Sequence, residues 1–103
     1  MSASFQMKER FGSFLADGEV ANAFRFTEVE PAIARGEHVV FELEGVTNMT
    51  DSFGNALFGT LFKNHPELLD RGVEFRNSSA LMRTLISAAI QFAKMAARRQ
   101  QIA

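Results

Sequence analysis

The run from Val39 to Phe62, VVFELEGVTNMTDSFGNALFGTLF, constrains the fold of this 103-residue chain more than any other stretch. The residues from His38 to Leu43 include the apolar Val39, Val40, Phe41 and Leu43 on both faces, which is typical of a central strand that is covered on both sides. From Phe53 to Leu61, apolar residues recur at helical spacing. Between them lies the most polar part of the run, Thr47 to Ser52. The pattern predicts a buried strand, a short loop and a helix, and we look for function in the loop.

The helix after this loop has two unusual features. It is predicted to begin at Asp51 or Ser52, because side-chain oxygens of these residue types accept hydrogen bonds from the free amides of a first helical turn. Gly54 and Gly59 lie inside the helix, where glycine costs about 1 kcal/mol relative to alanine. We therefore expect close packing of this helix on the sheet at the two glycines.

Two short strands are predicted before the first helix. Ser4 to Met7 is predicted to form an edge strand, because the charged residues Lys8, Glu9 and Arg10 follow it. Phe11, Phe14 and Leu15 are predicted to form a second short strand.

The first helix is predicted to begin after a cap at Asp17 and to end at Gly36 in the left-handed conformation. Pro31 conflicts with an unbroken helix because it lacks an amide hydrogen. Thr27 and Glu30 have the spacing of a capping box, which would restart the helix. We expect one kinked helix or two short ones.

After the central helix, the residues from Glu67 to Asp70 are predicted to form a helical turn, and Val73 to Phe75 a short strand. Asn77 or Ser78 is predicted to cap a last helix from Ser79 to about Arg99. Apolar residues at helical spacing predict its buried stripe: Met82, Leu85, Ile86, Ala89, Ala93 and Ala96.

Strands that alternate with helices predict an α/β fold with a mostly parallel or mixed sheet of about four strands and about three helices. With so few helices, one face of the sheet is expected to be covered better than the other. The length predicts a single domain over residues 1–103, with residues 1–3 and 100–103 frayed.

Several functional classes find no support in the composition. The chain has no Cys, which excludes disulfides, thiolate metal sites and thiol catalysis. His38 and His65 are isolated from other metal-ligand residue types, and Glu42 and Glu44 read as two solvated acids on one face of a strand. We therefore expect no enzyme, no metal and no cofactor. The sequence has no signal peptide and no apolar run that could cross a bilayer, so we expect a soluble cytoplasmic protein.

Residues 75–103 carry five basic residues and no acidic one. Basic residues suit the C-terminal end of a helix because of its macrodipole, and this is the favoured interpretation. Contact of Arg98 and Arg99 with nucleic acid is a less favoured alternative.

The run GEHVVFELEGVTNMTDSFGNALFGTL resembles the central strand, loop and helix of STAS-like domains. These domains are mostly uncharacterised relatives of the anti-sigma-factor antagonists. The run VEFRNSSALMRTLI is similar to the last strand and the start of the last helix of the family, and FGSFLADGEVANAF resembles it more loosely. The resemblance covers about residues 11–95 and implies the fold of the anti-sigma-factor antagonists.

In anti-sigma-factor antagonists, a serine or threonine at the start of this helix is phosphorylated by a histidine-kinase-like ATPase, and phosphorylation switches binding between the two proteins. Their loop reads Asp-Ser-Ser-Gly, and the matching run here is Asp51-Ser52-Phe53-Gly54. Phe53 therefore occupies the position that usually carries the phosphate. Ser52 and Thr50 are the nearest hydroxyls, and we regard them as candidate phosphorylation sites.

The resemblance implies a non-enzymatic regulatory domain that docks a protein partner, such as a histidine-kinase-like ATPase, through the loop of residues 47–55. Such a loop, at the carboxyl end of a parallel strand, lies where open α/β sheets place their binding crevices. Six loop residues are the predicted partner-binding or regulatory residues: Thr47, Asn48, Thr50, Asp51, Ser52 and Asn55.

Two alternatives remain open. Asp51 and Ser52 could serve only to cap the helix. The chain could also be a small-ligand or nucleotide-binding module that holds an anion at the helix N-termini near Ser52 and Ser78. In either case we expect a monomer or a weak homodimer that binds neither membranes nor nucleic acid.

Overall fold

The computed structural model describes the backbone of residues 2–69 and 72–102 and the side chains of residues 2–68 and 72–96. Its elements alternate between strands and helices, which confirms the α/β class. In chain order they are β1 (Ser2–Gln6), α1 (Met7–Phe11), β2 (Phe14–Leu15), α2 (residues 18–34), β3 (His38–Glu42), β4 (Asn48–Met49), α3 (residues 51–64), a 3-10 turn (Pro66–Leu69), β5 (Val73–Arg76) and α4 (Ala80–Ile102).

The strands of the described residues form two parallel sheets. The larger has the order β1-β3-β5, with Phe5 opposite Phe41 and Phe41 opposite Phe75. The smaller joins β2 to β4. The prediction of an edge strand at β1 is confirmed, but Met7 belongs to α1. The prediction of a second strand that includes Phe11 is wrong in its extent, because Phe11 ends α1 and only Phe14–Leu15 is a strand.

Helices cover one face of the three-stranded sheet. Phe5 and Phe41 are buried on this face, where Phe24 of α2 contacts Phe5 at 5.0 Å between ring centroids and Phe58 of α3 contacts Phe41 at 5.3 Å. Both helices lie on one face because of the strand order. The connections from β1 to β3 and from β3 to β5 have the same hand and proceed in the same direction along the sheet, so their helices lie on the same side. The expectation that one face is covered better than the other is confirmed.

On the opposite face, Ser4, Gln6 and His38 are exposed. The prediction that the central strand is covered by other elements on both sides is therefore wrong. Val40 lies on this open face and is still buried, but outside the main core cluster, and its neighbours in register are Ser4 and Glu74. The apolar residues of β3 thus reflect its position between β1 and β5 in the sheet. They do not indicate that helices cover both faces.

The first long helix, α2, continues past Pro31 without a restart. It is α-helical at Gly18–Phe24 and at Glu30–Ala34, with a π-helical turn at Arg25–Val29 between them. The Thr27 hydroxyl donates to the carbonyl oxygen of Ala23 at 2.8 Å, so the predicted capping box does not form. The π-helical turn shifts the backbone hydrogen bonds by one residue just before the proline, which has no amide hydrogen to donate.

Two predicted helix boundaries of α2 are confirmed. The Asp17 side chain accepts hydrogen bonds from the amides of Glu19 at 2.9 Å and Val20 at 3.3 Å. Gly36, with φ of +78°, follows the end of the helix in the left-handed region.

The start of α4 differs from the prediction. The Ser79 hydroxyl accepts a hydrogen bond from the amide of Met82 at 3.1 Å, so Ser79 caps the helix and neither Asn77 nor Ser78 does. Asn77 adopts φ of +55° and donates to Glu42 at 2.9 Å, which fixes the turn before the cap. The predicted buried stripe lies on the inner side of α4, where Ile90 is buried as well.

The second long helix, α3, also contains a π-helical turn, at Asn55–Gly59. Its two glycines face α4. A Cβ at Gly59 would lie 3.2 Å from the carbonyl oxygen of Ala89, and one at Gly54 would lie 3.3 Å from the Cβ of Ala89. The close packing predicted at the glycines is therefore correct. At Gly59 the partner is the last helix and not the sheet, and at Gly54 it is the last helix together with Met49 of β4, whose Cε would lie 2.8 Å from a Cβ there.

The predicted helical turn at Glu67 is the 3-10 turn, and its predicted end at Asp70 lies outside the described residues. The last short strand is one residue longer than predicted, Val73–Arg76. Among the helices that the structure describes, none is long and apolar enough to cross a membrane.

Candidate functional site

Hydrogen bonds to the segment of residues 13–16 hold the loop before α3 in place. The amide of Thr47 donates to the carbonyl oxygen of Ser13 at 2.8 Å, and the amide of Thr50 donates to that of Leu15 at 2.9 Å. The Thr50 hydroxyl donates to the carbonyl oxygen of Ala16 at 2.8 Å. The predicted loop is therefore an ordered connection that contains the short strand β4.

Thr50 caps α3. Its hydroxyl oxygen accepts a hydrogen bond from the amide of Phe53 at 3.2 Å, and the helix begins at Asp51. The prediction that the helix begins at Asp51 or Ser52 is confirmed at Asp51, whereas the alternative in which Asp51 and Ser52 serve only as caps is wrong. Because Thr50 fills this role, capping does not explain why Asp51 and Ser52 occupy the exposed first turn.

The first turn of α3 meets the start of α2. Gly18 lies so close to Ser52 that a Cβ at Gly18 would overlap the Ser52 hydroxyl and lie 3.1 Å from the Ser52 carbonyl oxygen. The Ser52 residue is exposed, and its hydroxyl makes no hydrogen bond to the residues that the structure describes. Asp17 and Glu19 flank Gly18 in the chain, and Asp51 precedes Ser52. The hydroxyl therefore lies in acidic surroundings.

All six predicted site residues are near the surface. Thr50 is half-buried, and the other five are exposed: Thr47, Asn48, Asp51, Ser52 and Asn55. The side-chain oxygen of Asn48 accepts from the amide of Met49 at 2.8 Å, and the Thr47 hydroxyl donates to Ser13 at 3.2 Å. Of the two candidate phosphorylation sites, Thr50 has its hydroxyl engaged in two hydrogen bonds, so Ser52 is the more available.

A groove that sequence reasoning missed lies between this turn and α4. Its volume is about 300 Å³. Thr50, Asp51 and Asn55 line one side of it, and Leu85, Ala88 and Phe92 line the other. A signal for it exists in the sequence, because Leu81, Leu85, Ala88, Phe92 and Met95 recur at intervals of four and three residues beside the buried stripe.

The alternative anion sites have different surroundings. At Ser52, the carboxylates of Asp51 and of the residues near Gly18 disfavour an anion. At Ser78, the carbonyl oxygen accepts a hydrogen bond from the Arg83 guanidinium at 2.8 Å, which brings one positive charge to this turn. Ser79, and not Ser78, caps α4, so the Ser78 hydroxyl is not at the helix N-terminus where the alternative placed an anion.

A second polar cluster lies inside the fold. The Arg25 guanidinium is buried, donates to the carbonyl oxygen of Ala56 at 2.9 Å and to the Asn22 side chain at 2.5 Å, and forms an ion pair with Glu30. The other oxygen of Glu30 lies 3.0 Å from Nε2 of His65. This cluster connects α2 to α3, with Arg25 buried and Glu30 and His65 half-buried, which indicates a structural role.

Charged residues also pair on the open face of the sheet. A hydrogen bond from Arg76 lowers the pKa of Glu74 below its usual range, and the same contact raises the pKa of Arg76. Both groups are exposed. Among the described residues, no three His, Asp or Glu side chains cluster as metal ligands would. The side chains of Arg98 and Arg99 lie outside the described residues, so contact with nucleic acid stays an untested alternative.

Comparison with known proteins yields one match. A family model described as a STAS-like domain of unknown function (DUF4325) matches residues 20–80, which include most of α2, the central strand, the loop and α3. Searches of curated proteins and of solved structures give no match to this chain. The resemblance predicted from the sequence is therefore confirmed at the level of the family.

Proposed function

Because the chain belongs to the family of STAS-like domains of unknown function, we propose that it is a non-enzymatic regulatory domain that docks a protein partner through the loop of residues 47–55. The observation that carries the proposal is the exposed pair Asp51 and Ser52 at the start of α3. Thr50 caps the helix, so the pair is free to contact another molecule.

The rigidity of the loop supports the proposal. Its backbone is fixed by the bonds from Thr47 and Thr50 to residues 13–16, so little conformational entropy is lost when a partner binds. The partner that the family resemblance suggests is a histidine-kinase-like ATPase.

Phosphorylation of Ser52 is the regulation that we propose for this contact. A phosphate adds about −1.5 to −2 charges at neutral pH. Beside Asp51 and in contact with the start of α2 at Gly18, that charge would repel the neighbouring carboxylates and displace the first turn of α3 from the position in which it contacts the partner. Phosphorylation at Ser52 therefore releases the partner.

The proposal can be tested by affinity purification of the tagged protein from its native host, with mass spectrometry of the bound proteins and of phosphorylated sites. We expect an ATPase of this class to be enriched with the wild type and lost with Ser52→Glu and with Asp51→Lys. Ser87→Glu is the matched control, because Ser87 is an exposed serine on α4. If both loop variants retain every partner, the loop is structural and the proposal is wrong.

The anion-binding alternative has a separate test. A ligand that binds only the folded state raises thermal stability by mass action. We expect phosphate and ATP to leave the unfolding temperature unchanged because of the carboxylates near Ser52. A rise that Arg83→Gln removes would favour an anion site near Ser78 instead.

A further inference from the structure

We propose that the groove between the start of α3 and the outer side of α4 binds an amphipathic helix of the partner protein, and that this helix carries a Lys or Arg where it passes Asp51. The inference rests on the proposed function, since it names the part of the partner that the loop region receives.

The first observation is an exposed apolar stripe on α4. Phe92 is 64% exposed, Met95 55% and Leu81 49%. Together with Leu85 and Ala88 they follow one another at intervals of four and three residues. This spacing places them on one side of the helix, next to the buried stripe. Contiguous exposed apolar residues of this kind mark an interaction surface.

The second observation is the shape of the surface. α4 has 23 residues and is therefore about 34 Å long. The four-three spacing is the spacing by which one helix contacts another along its length. Ala88 is a small exposed residue at the groove, and small residues allow a second helix to approach closely. A helix of three or four turns fits a groove of this form.

The third observation is the charge. Among the described side chains that line the groove, Asp51 is charged and none is basic. Asp17 and Glu19 lie beyond it, next to Gly18, which contacts Ser52. The groove therefore favours a helix that brings a positive charge to this end.

Two basic residues of α4 have described side chains, and neither neutralises this end of the groove. Arg83 points to the other side of the helix, where its guanidinium bonds to the carbonyl oxygen of Ser78. Lys94 follows Arg83 by three helical turns and lies on the same side. In a second copy of α4 these two bases would again face away from the stripe, so neither would meet Asp51.

The test uses two synthetic peptides of about 18 residues with leucines at four-three spacing, one with lysines and one with glutamates at the flanking positions. Binding to the full chain is measured by fluorescence anisotropy. We expect the lysine peptide to bind at least about tenfold more tightly than the glutamate peptide, with a preference that falls as salt is added.

Variants then locate the binding site. Phe92→Ser is expected to weaken binding of the lysine peptide at least about tenfold. Asp51→Asn is expected to reduce the preference for the lysine peptide over the glutamate peptide. Phe26→Ser is the matched control, because Phe26 is 70% exposed on α2, away from the groove. Both phenylalanines are exposed, so thermal unfolding is expected to show that both variants fold.

Three results would overturn the inference: no binding of either peptide, equal binding of both, or equal losses in Phe92→Ser and Phe26→Ser. A dimer in sedimentation equilibrium that Phe92→Ser dissociates would assign the groove to a second copy instead. Each of these results leaves the purification with Ser52→Glu unaffected, so failure of the groove and failure of the docking loop can be told apart.

Discussion

Nε of Arg25 donates a hydrogen bond of 2.9 Å to the carbonyl oxygen of Ala56, and this bond joins the π-helical turn of α2 to that of α3. A π-helical turn changes the pairing of backbone groups in the middle of a helix, so an outside donor can satisfy a carbonyl there. The buried side chain of Arg25 thus connects α2 to α3. The bond reaches α3 a short distance after Asp51 and Ser52, the candidate docking residues.

Arg25→Met is expected to destabilise the protein by about 2 kcal/mol, because it removes the Arg25 donor from the half-buried carboxylate of Glu30 and from the carbonyl oxygen of Ala56. The measurement is the free energy of unfolding in urea. Arg35→Met is the control, since Arg35 pairs with Glu37 at the surface and is expected to contribute at most about 1 kcal/mol. Equal losses in the two variants would contradict a structural role for the Arg25 cluster.

Thr50→Val is expected to lower the free energy of unfolding by about 1–2 kcal/mol. Valine has the shape of threonine, but it cannot accept a hydrogen bond from the amide of Phe53 or donate one to the carbonyl oxygen of Ala16. Thr50→Ser keeps the oxygen and should recover most of this loss. Ser52→Ala is expected to change stability by less than about 0.5 kcal/mol. Chemical denaturation of the three variants checks which residue caps α3, and a large loss in Ser52→Ala would show that the assignment is wrong.

Gly59→Leu is expected to destabilise the fold by roughly 1–3 kcal/mol, because the new side chain meets the backbone carbonyl of Ala89 and forces α3 and α4 apart. Ala88→Leu serves as the control on α4. Ala88 is exposed at the groove, so added volume there meets no packed core. Thermal unfolding followed by circular dichroism compares the two, and a stable Gly59→Leu protein would contradict the close packing of the two helices.

The pair of Glu74 and Arg76 predicts a dependence of stability on pH. The pKa of Glu74 is lowered by the hydrogen bond from Arg76, so its contribution is present above the pKa of an unfolded glutamate, about 4.3. The contribution is lost as the pH falls through the lower pKa of the folded state. We expect Glu74→Gln to be less stable than the wild type at pH 7, and the difference to vanish in strong acid.

Titration of the Glu74 carboxylate by NMR checks the cause directly. In Arg76→Gln, the midpoint is expected to rise towards the ordinary value for glutamate, because the donor is gone. Since both side chains are exposed, the effect on stability is small and is expected to weaken as salt is added. An unchanged midpoint in Arg76→Gln would show that Arg76 is not the cause.

Features decided by neighbouring residues were predictable from the sequence. Local residue types and spacing predicted the central strand, the cap at Asp17 and the left-handed Gly36. They also predicted the three long helices, α2, α3 and α4. The exposed positions of five polar residues in the loop of residues 47–55 followed from their polarity: Thr47, Asn48, Asp51, Ser52 and Asn55. Local patterns succeed here because backbone conformation and amphipathicity depend on residues within a few positions of each other.

Features that depend on contacts between distant parts of the chain were not predictable in this way. Thr50, Asp51 and Ser52 are all good caps, and Thr50 took the role in a loop whose backbone is held by residues 13–16. The sheet was expected on the far side of Gly59, but the last helix lies there. Phe92 and Phe62 look alike in sequence, and only the fold decided that one is exposed.

The sequence by itself therefore determined the alternation of the main strands and long helices and the polar turn at the centre of the chain, but neither α1 nor β4. The tertiary structure decided which side chains of that turn remain free, and that an apolar groove lies beside it. The reason is physical: a residue type sets what a side chain can bind, whereas burial and hydrogen bonding by residues far away in the chain set whether it is free to do so.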